Sequence, residues 1–198
     1  MRLVDQNAFG VWLAFFDLED VEYSCEPEEF TQRVESFRGS CLAFARARPL
    51  ALGLTAIDFG HAVYFEFEDG DQSEDPLAWL RALAKELGQA EFSVTGVLSH
   101  GSRWRRSADS DGENQDEPLS GTEGAGVAAF ERIRVTRPSE ALRRALYADA
   151  ACHGTDGADG WGPGVFVDEE AIEALKRAFK NAPTALLAGG ARFFRVGT

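Results

Sequence analysis

The feature that most constrains the fold is a strand-and-helix pattern between Leu50 and Ser99. From Ala62 to Glu68 apolar and polar residues alternate, which predicts a half-buried β-strand. A helix is predicted to follow, because Asp75 is a good N-cap and Pro76 suits the first helical position. The apolar residues of this helix share one stripe: Leu77, Leu80, Leu83, Ala84 and Leu87. We expect the stripe to cover the apolar face of the strand, formed by Val63, Phe65 and Phe67.

The same stretch predicts two further strands. The apolar run Leu50–Ile57 precedes a turn at Asp58–Gly60, and apolar residues alternate again from Phe92 to Leu98. The resulting ββαβ unit, with strands and helices on either side, predicts an α+β fold. We expect a mostly antiparallel sheet with about four helices packed on it, in a single domain spanning residues 1–198.

Outside this unit the pattern is less regular. A helix is predicted from Pro27 to Gly39, and a strand over Cys41–Ala47. Residues 107–126 are polar and acidic and have no hydrophobic periodicity, which indicates a loop or an insertion. Helices are expected after Ser139 and Asp168, and a hairpin is expected around Gly189 and Gly190.

Composition limits the compartment. The three cysteines are odd in number and widely spaced, which argues against a disulfide framework and fits a reducing compartment. No apolar run is long enough to cross a membrane. The apolar patch near the N-terminus has no basic region before it and no cleavage site after it, unlike a signal peptide. These observations predict a cytoplasmic protein.

Charge gives the first functional hypothesis. The net charge is −13 at pH 7, and the segments Asp17–Glu29, Asp58–Asp75 and Asp109–Glu123 contain no lysine or arginine. Such acidity disfavours nucleic acid as a partner. It predicts binding, and possible inhibition, of a basic protein such as a toxin or an enzyme, as immunity proteins and antitoxins do. The alternative is that the acidic residues only keep the protein soluble. The predicted contact residues are Asp17, Glu19, Asp20, Glu66, Glu68, Asp69, Asp71 and Trp161.

An enzyme is the second hypothesis. Its site would be drawn from the three histidines and nearby acids: Asp58, His61, His100, His153, Asp156 and Asp159. It requires at least two histidines to converge with a carboxylate in one pocket. The chain has no CxxC, HExxH, P-loop or GxSxG motif, so no catalytic residue, metal ligand or cofactor is assigned from the sequence.

A third hypothesis concerns the basic run after His100. Arginine forms paired hydrogen bonds with phosphate or carboxylate, and tryptophan can stack on a base. The predicted anion-binding residues are Arg103, Trp104, Arg105 and Arg106. The alternative is that these arginines pair with the acidic segment that follows them.

Overall fold

The computed structural model describes residues 8–19, 26–104, 139–153, 161–176 and 185–197. In chain order the elements are β1 (Ala8–Leu18), α1 (Pro27–Ala47), β2 (Thr55–Phe59), β3 (Ala62–Glu68), α2 (Pro76–Gln89), β4 (Val94–Trp104), α3 (Glu140–His153), β5 (Gly164–Asp168), α4 (Glu169–Ala174), β6 (Ala185–Ala188) and β7 (Ala191–Val196). The predicted α+β fold is confirmed.

The strands form one sheet in the order β2-β3-β1-β4-β5-β7-β6. Neighbours run antiparallel except β4 and β5, which are parallel. The first six elements follow the β-α-β-β-α-β order of a split βαβ unit. Strand β1 lies between β3 and β4, so residues at its ends have neighbours on both sides.

Two apolar cores cover the two faces of the sheet. Helices α1, α2 and α4 pack on one face with Trp12, Ala14, Phe16 and Leu18 of β1. Helix α3 packs on the other face with Val11, Leu13 and Phe15. Because side chains alternate along a strand, the next odd-numbered residue, Asp17, also lies on the α3 face.

Helix α2 is organised as predicted. The carboxylate of Asp75 accepts hydrogen bonds from the backbone N–H groups of Leu77 and Ala78, which caps the helix. All five stripe residues are buried with the apolar face of β3. Burial of each leucine contributes about 1.5–3 kcal/mol. Trp79 lies at the centre, with its ring 5.1 Å from Phe65 and its indole N–H donating to the Arg48 carbonyl at 2.7 Å.

Helix α1 corrects one prediction. It continues through Gly39 to Ala47, where a strand over Cys41–Ala47 was expected. Cys41, Phe44 and Ala45 extend its buried face at helical spacing, and this burial outweighs the intrinsic cost of glycine, about 1 kcal/mol. A Cβ at Gly39 would meet nothing within 4 Å, so the position imposes no break.

The strands flanking the turn and α2 also differ in extent. The segment Leu50–Ile57 is not one strand: β2 begins at Thr55, Leu50 is buried, and Leu52 is 99% exposed. Strand β4 continues past Ser99 because β1 pairs with it as far as Trp104. At Gly101 an added Cβ would lie 2.7 Å from the Ala141 backbone nitrogen, so this glycine lets α3 approach the sheet closely.

The C-terminal hairpin β6–β7 is confirmed, with Gly189 and Gly190 both at positive φ. The segment 107–126 lies outside the described residues. Among the helices that the structure describes, none is both long and apolar enough to cross a membrane.

Candidate functional site

The candidate site lies at the carboxyl end of β1, on the α3 face of the sheet. Asp17 is the penultimate residue of β1, and the backbone N–H of Leu18 donates to the His61 carbonyl at 3.2 Å. The β2–β3 turn is thereby held beside β1. The last turn of α3 carries Asp149 and His153, whose spacing of four places both on one side of the helix. Three separate parts of the chain meet here.

Asp17 is the centre of the site. Its Oδ1 is 3.3 Å from His61 Nε2, and its Oδ2 is 3.3 Å from His153 Nε2. His153 also lies 3.5 Å from a carboxylate oxygen of Glu19 and 3.9 Å from Oδ1 of Asp149. One ligand atom each from Asp17, Glu19, Asp149 and His153 fall within 4.8 Å of one another. We call these four residues and His61 the Asp17 cluster.

The cluster is closed at the sheet and open towards solvent. The Asp17 side chain is 1% exposed, whereas those of His153 and His61 are 35% and 42% exposed. The buried hydroxyl of Thr95 donates to Glu19, and the Glu19 backbone N–H donates to the Ser93 carbonyl at 2.9 Å. Asp17 and Glu19 are therefore fixed by the sheet, Asp149 comes from α3, and the imidazoles line the approach from solvent.

The pKa values show that the acids are crowded. Burial, with the nearby Glu19 carboxylate, raises the pKa of Asp17 to about 6, although His153 opposes the rise. Burial and the charge of Asp17 raise the pKa of Asp149 to about 7. Burial alone would lower the pKa of His153, but Glu19, Asp149 and Asp17 outweigh it and raise that pKa. The cluster thus takes up protons unless another positive charge balances it.

Two kinds of chemistry fit these groups. Carboxylate oxygens and imidazole nitrogens are protein ligands for divalent metal ions. An imidazole beside a carboxylate can also carry a proton to or from a reacting group. Asp17 Oδ1 and Asp149 Oδ1 are buried and have no hydrogen-bond partner within the described ranges. Both atoms are therefore available to a metal ion, which would replace the 3.3 Å contact of Asp17 Oδ1 with His61.

The structure brings together some of the residues named by the enzyme hypothesis. His61 and His153 converge on one carboxylate, that of Asp17. Asp58 lies apart and pairs with Arg38. His100 lies towards the other end of the sheet, 3.0 Å from Asp69. Asp156 and Asp159 lie outside the described residues.

Sequence reasoning assigned Asp17 to a surface and missed Asp149. Asp17 follows Phe15 and Phe16 at the end of an apolar strand. An acid at that position lies beside the apolar core rather than on an open surface. Asp149 and His153 are four residues apart on a predicted helix, which is the spacing of side chains that share a face. These two patterns were the available indications of the site.

The remaining predicted partner contacts are dispersed. Glu66 is buried and pairs with Arg103. Asp69 pairs with His100, and Asp71 is exposed. Glu68 is partly buried, and Asp20 lies outside the described residues. Trp161 is also partly buried, with its ring 5.4 Å from Phe166 and 5.8 Å from Phe193.

The basic run is described only in part. The Arg103 guanidinium donates to Glu66 at 2.7 Å, so this arginine neutralises a buried acid. Arg105 and Arg106 lie outside the described residues, as does the acidic segment that was expected to pair with them. The side chain of Trp104 is likewise not described. An anion site on this run therefore stays a prediction.

No known family model matches the chain. No curated protein matches its sequence either.

Solved structures with the same fold are found nonetheless. The adenylyl cyclase CyaB from P. aeruginosa is 12% identical with a TM-score of 0.51, over 96% of this chain and 95% of that one. The guanylate cyclase domain of RhGC from Catenaria anguillulae, in complex with GTP, is 10% identical with a TM-score of 0.54, over 93% and 94%. The dimeric guanylyl cyclase domain of the RhoGC fusion protein from the aquatic fungus Blastocladiella emersonii is 10% identical with a TM-score of 0.51, over 95% of both chains.

These likenesses correct the first functional hypothesis. The prediction of an immunity- or antitoxin-like inhibitor is wrong, because the fold is one that solved nucleotide cyclase domains share over nearly their whole length. Bulk acidity misled the interpretation, since part of it is buried at Asp17 and Glu66. The prediction of a basic protein partner is not tested by these findings. The chain has the fold of nucleotide cyclase domains.

Proposed function

We propose that the protein is an enzyme that binds a nucleoside triphosphate with a divalent cation at the Asp17 cluster and acts on its phosphate chain. The observation that carries the proposal is the buried carboxylate of Asp17, approached by Glu19, Asp149 and two histidines. The fold supports it, because the similar solved domains are adenylyl and guanylyl cyclases and one holds GTP.

Electrostatics require the cation. Asp17, Glu19 and Asp149 place up to three negative charges within 4.8 Å, and a triphosphate brings more. Like charges at such distances repel each other, so the acids and the phosphates can share a site only across a cation. The fixed carboxylates would hold that ion, and the ion would neutralise charge on the phosphoryl oxygens as it develops.

The two imidazoles suit a role at the mouth of the site. His61 comes from the β2–β3 turn and His153 from the end of α3, so they approach Asp17 from two elements. Each is more than a third exposed and can meet a ligand without rearranging the core. Burial lowers the pKa of His153, but the neighbouring acids outweigh this and raise it, so its imidazole can exchange protons with the site while no cation is bound.

The cysteines are consistent with a location of the enzyme in a reducing compartment. Cys41 and Cys152 are free and buried, and burial raises the pKa of each thiol to about 12. Such thiols are unreactive and form no disulfide. We therefore place the enzyme in the cytoplasm, where nucleoside triphosphates are also available.

The test uses the purified full chain with ATP, GTP, CTP or UTP and either Mn²⁺ or Mg²⁺. Binding is measured by calorimetry, and products are identified by mass spectrometry, with cyclic nucleotide plus diphosphate as the first pair to seek. We expect Asp17→Asn to lower turnover at least about 100-fold, since a removed charge partner costs several kcal/mol in a buried site. Asp71→Asn, at an exposed acid, is the matched control.

The proposal is overturned if no triphosphate binds in the presence of either cation. It is equally overturned if Asp17→Asn and Asp71→Asn turn over substrate at the wild-type rate.

A further inference from the structure

We infer that the ion bound at the Asp17 cluster is a transition-metal ion, held partly through imidazole nitrogen, rather than Mg²⁺. Asp17, Asp149 and His153 are its principal ligands, and His61 lies beside Asp17 at the edge of the site. The inference rests on the proposed function in that it names the ion used there, but its evidence lies in the cluster alone.

The donor set favours this class of ion. Mg²⁺ prefers an all-oxygen shell and keeps several waters. Imidazole suits Zn²⁺ and other first-row ions such as Co²⁺. Here two imidazoles face one buried carboxylate, and the remaining acids surround His153. With Mg²⁺ the imidazole of His153 would not be a ligand.

The spacing of the atoms agrees with a shared ion. Ligands bonded at about 2.0–2.1 Å to a tetrahedral ion lie about 3.3 Å from one another. Both His61 Nε2 and His153 Nε2 are 3.3 Å from an oxygen of Asp17. The contact of His153 with Asp17 is a long hydrogen bond, which an ion bound between the two groups would replace. The pair outside the cluster, His100 and Asp69, is closer at 3.0 Å.

Two buried oxygens also support the inference. Oδ1 of Asp17 and Oδ1 of Asp149 accept no hydrogen bond among the described residues, although imidazole nitrogens of His61 and His153 lie 3.3 Å and 3.9 Å from them. Buried polar atoms are rarely left without a partner. Both face the cluster, where an ion bound between the two acids and His153 would satisfy them together.

The experiment titrates the EDTA-treated full chain, without nucleotide, with Co²⁺, Zn²⁺ and Mg²⁺. Calorimetry gives stoichiometry and affinity, and the visible absorption of bound Co²⁺ reports its ligands. We expect one ion per chain and Co²⁺ affinity lowered at least about 100-fold in His153→Gln and about tenfold in His61→Gln, because even residues outside the ligand shell change affinity by about 10–100-fold. The matched control is His100→Gln, which removes a histidine from another carboxylate and should bind Co²⁺ like the wild type.

Each outcome is decisive. Equal Co²⁺ affinity in His153→Gln and His100→Gln overturns the inference, as does Mg²⁺ binding that matches Co²⁺ binding. Thermal unfolding in EDTA shows whether each variant is folded, and the partly exposed His61 provides a second variant that leaves the core intact. If Co²⁺ binds as expected but no triphosphate does, the proposed function fails and the metal site stands. If triphosphate turnover with Mg²⁺ survives both histidine variants, the reverse holds.

Discussion

The buried carboxylates of this molecule have two kinds of partner. Asp168 is fully buried, and Arg144 donates to it at 2.8 Å while the Ala171 backbone N–H donates at 2.7 Å. Glu66 is paired in the same manner with Arg103. Asp17 is as buried as Asp168, yet its ion pairs within the described residues are to the imidazoles of His61 and His153.

The type of partner distinguishes the buried acids that support the fold from the buried acid of the candidate site. A guanidinium is charged at every accessible pH, so Asp168 and Glu66 carry permanent partners and hold elements together. An imidazole is charged only when protonated, so the charge on the Asp17 cluster varies with pH and with bound cations. A buried acid with variable partners can exchange protons or ions, which is what a reactive site requires.

The largest effect is expected from breaking a permanent pair. Arg144→Met should destabilise the protein by about 3–5 kcal/mol, because it leaves the carboxylate of Asp168 buried and unpaired. Urea denaturation measures the change. Arg192→Ala is the control, because Arg192 is 63% exposed and 3.8 Å from Glu169, and its loss should cost about 0–1 kcal/mol. Equal costs for the two variants would contradict the claim that the buried Arg144–Asp168 pair is more important for stability than an exposed pair.

The next largest effect is expected when a metal ion binds at the Asp17 cluster. Zn²⁺ at about 100 times its dissociation constant should stabilise the folded chain by about 2.7 kcal/mol. For a chain of this length that corresponds to a rise in Tm of roughly 5–10 °C. Differential scanning fluorimetry with and without EDTA measures it. Asp17→Asn should abolish the rise, whereas Asp69→Asn, at the His100 pair, should retain it.

Stability should also depend on pH, with a definite sign. The folded pKa values of Asp17 and Asp149, about 6 and about 7, lie above the ordinary value of 3.8. The folded state therefore holds protons that the unfolded state releases, so this contribution is complete below about pH 4 and is lost as pH rises through 6 and 7. The raised pKa of His153 acts in the same direction, since its contribution is lost as pH rises through the folded value.

Urea denaturation in EDTA should therefore give lower stability at pH 8 than at pH 5.5, by on the order of 2 kcal/mol. Asp149→Asn should reduce this difference, because it removes one titrating group. A wild-type protein more stable at pH 8 would contradict the account of a crowded cluster.

The smallest effect concerns the support of the site. Thr95→Val keeps the shape of a fully buried side chain but removes the donor to Glu19. We expect a loss of about 1 kcal/mol in stability and weaker Co²⁺ binding, because one acid loses its orientation. Ser40→Ala is the control: it removes an exposed hydroxyl that donates to the Ser36 carbonyl on α1. Unchanged Co²⁺ affinity in Thr95→Val would show that Glu19 does not contribute.

The local parts of the fold could be predicted from sequence. The cap at Asp75, the leucine stripe of α2 and the alternation in β3 each depend on neighbours within a few residues, and all three are as expected. The predicted end of helix α1 at Gly39 is too early, because glycine commonly ends helices. Its continuation depends on burial of Phe44 against Trp79, 5.3 Å away, which no local pattern records.

The site was predictable only in pieces. His61 and His153 were candidates, but the acids named with them were Asp58, Asp156 and Asp159, which lie near them in sequence. Their actual partner, Asp17, comes from a third segment that the sheet and α3 bring to them. Sequence proximity does not report which side chains share the end of a strand.

Helix α3 is held differently at its two ends. Near its start, Ser139 accepts from the Leu142 backbone N–H and donates to Glu66, Arg144 reaches Asp168, and Gly101 allows the backbone to lie close to β4. Its last turn meets the sheet through alanine, Cys152 and the titratable groups around His153. Part of the attachment at the end of α3 therefore depends on the charge that the cluster carries, whereas the attachment near its start uses a partner, Arg144, that is always charged.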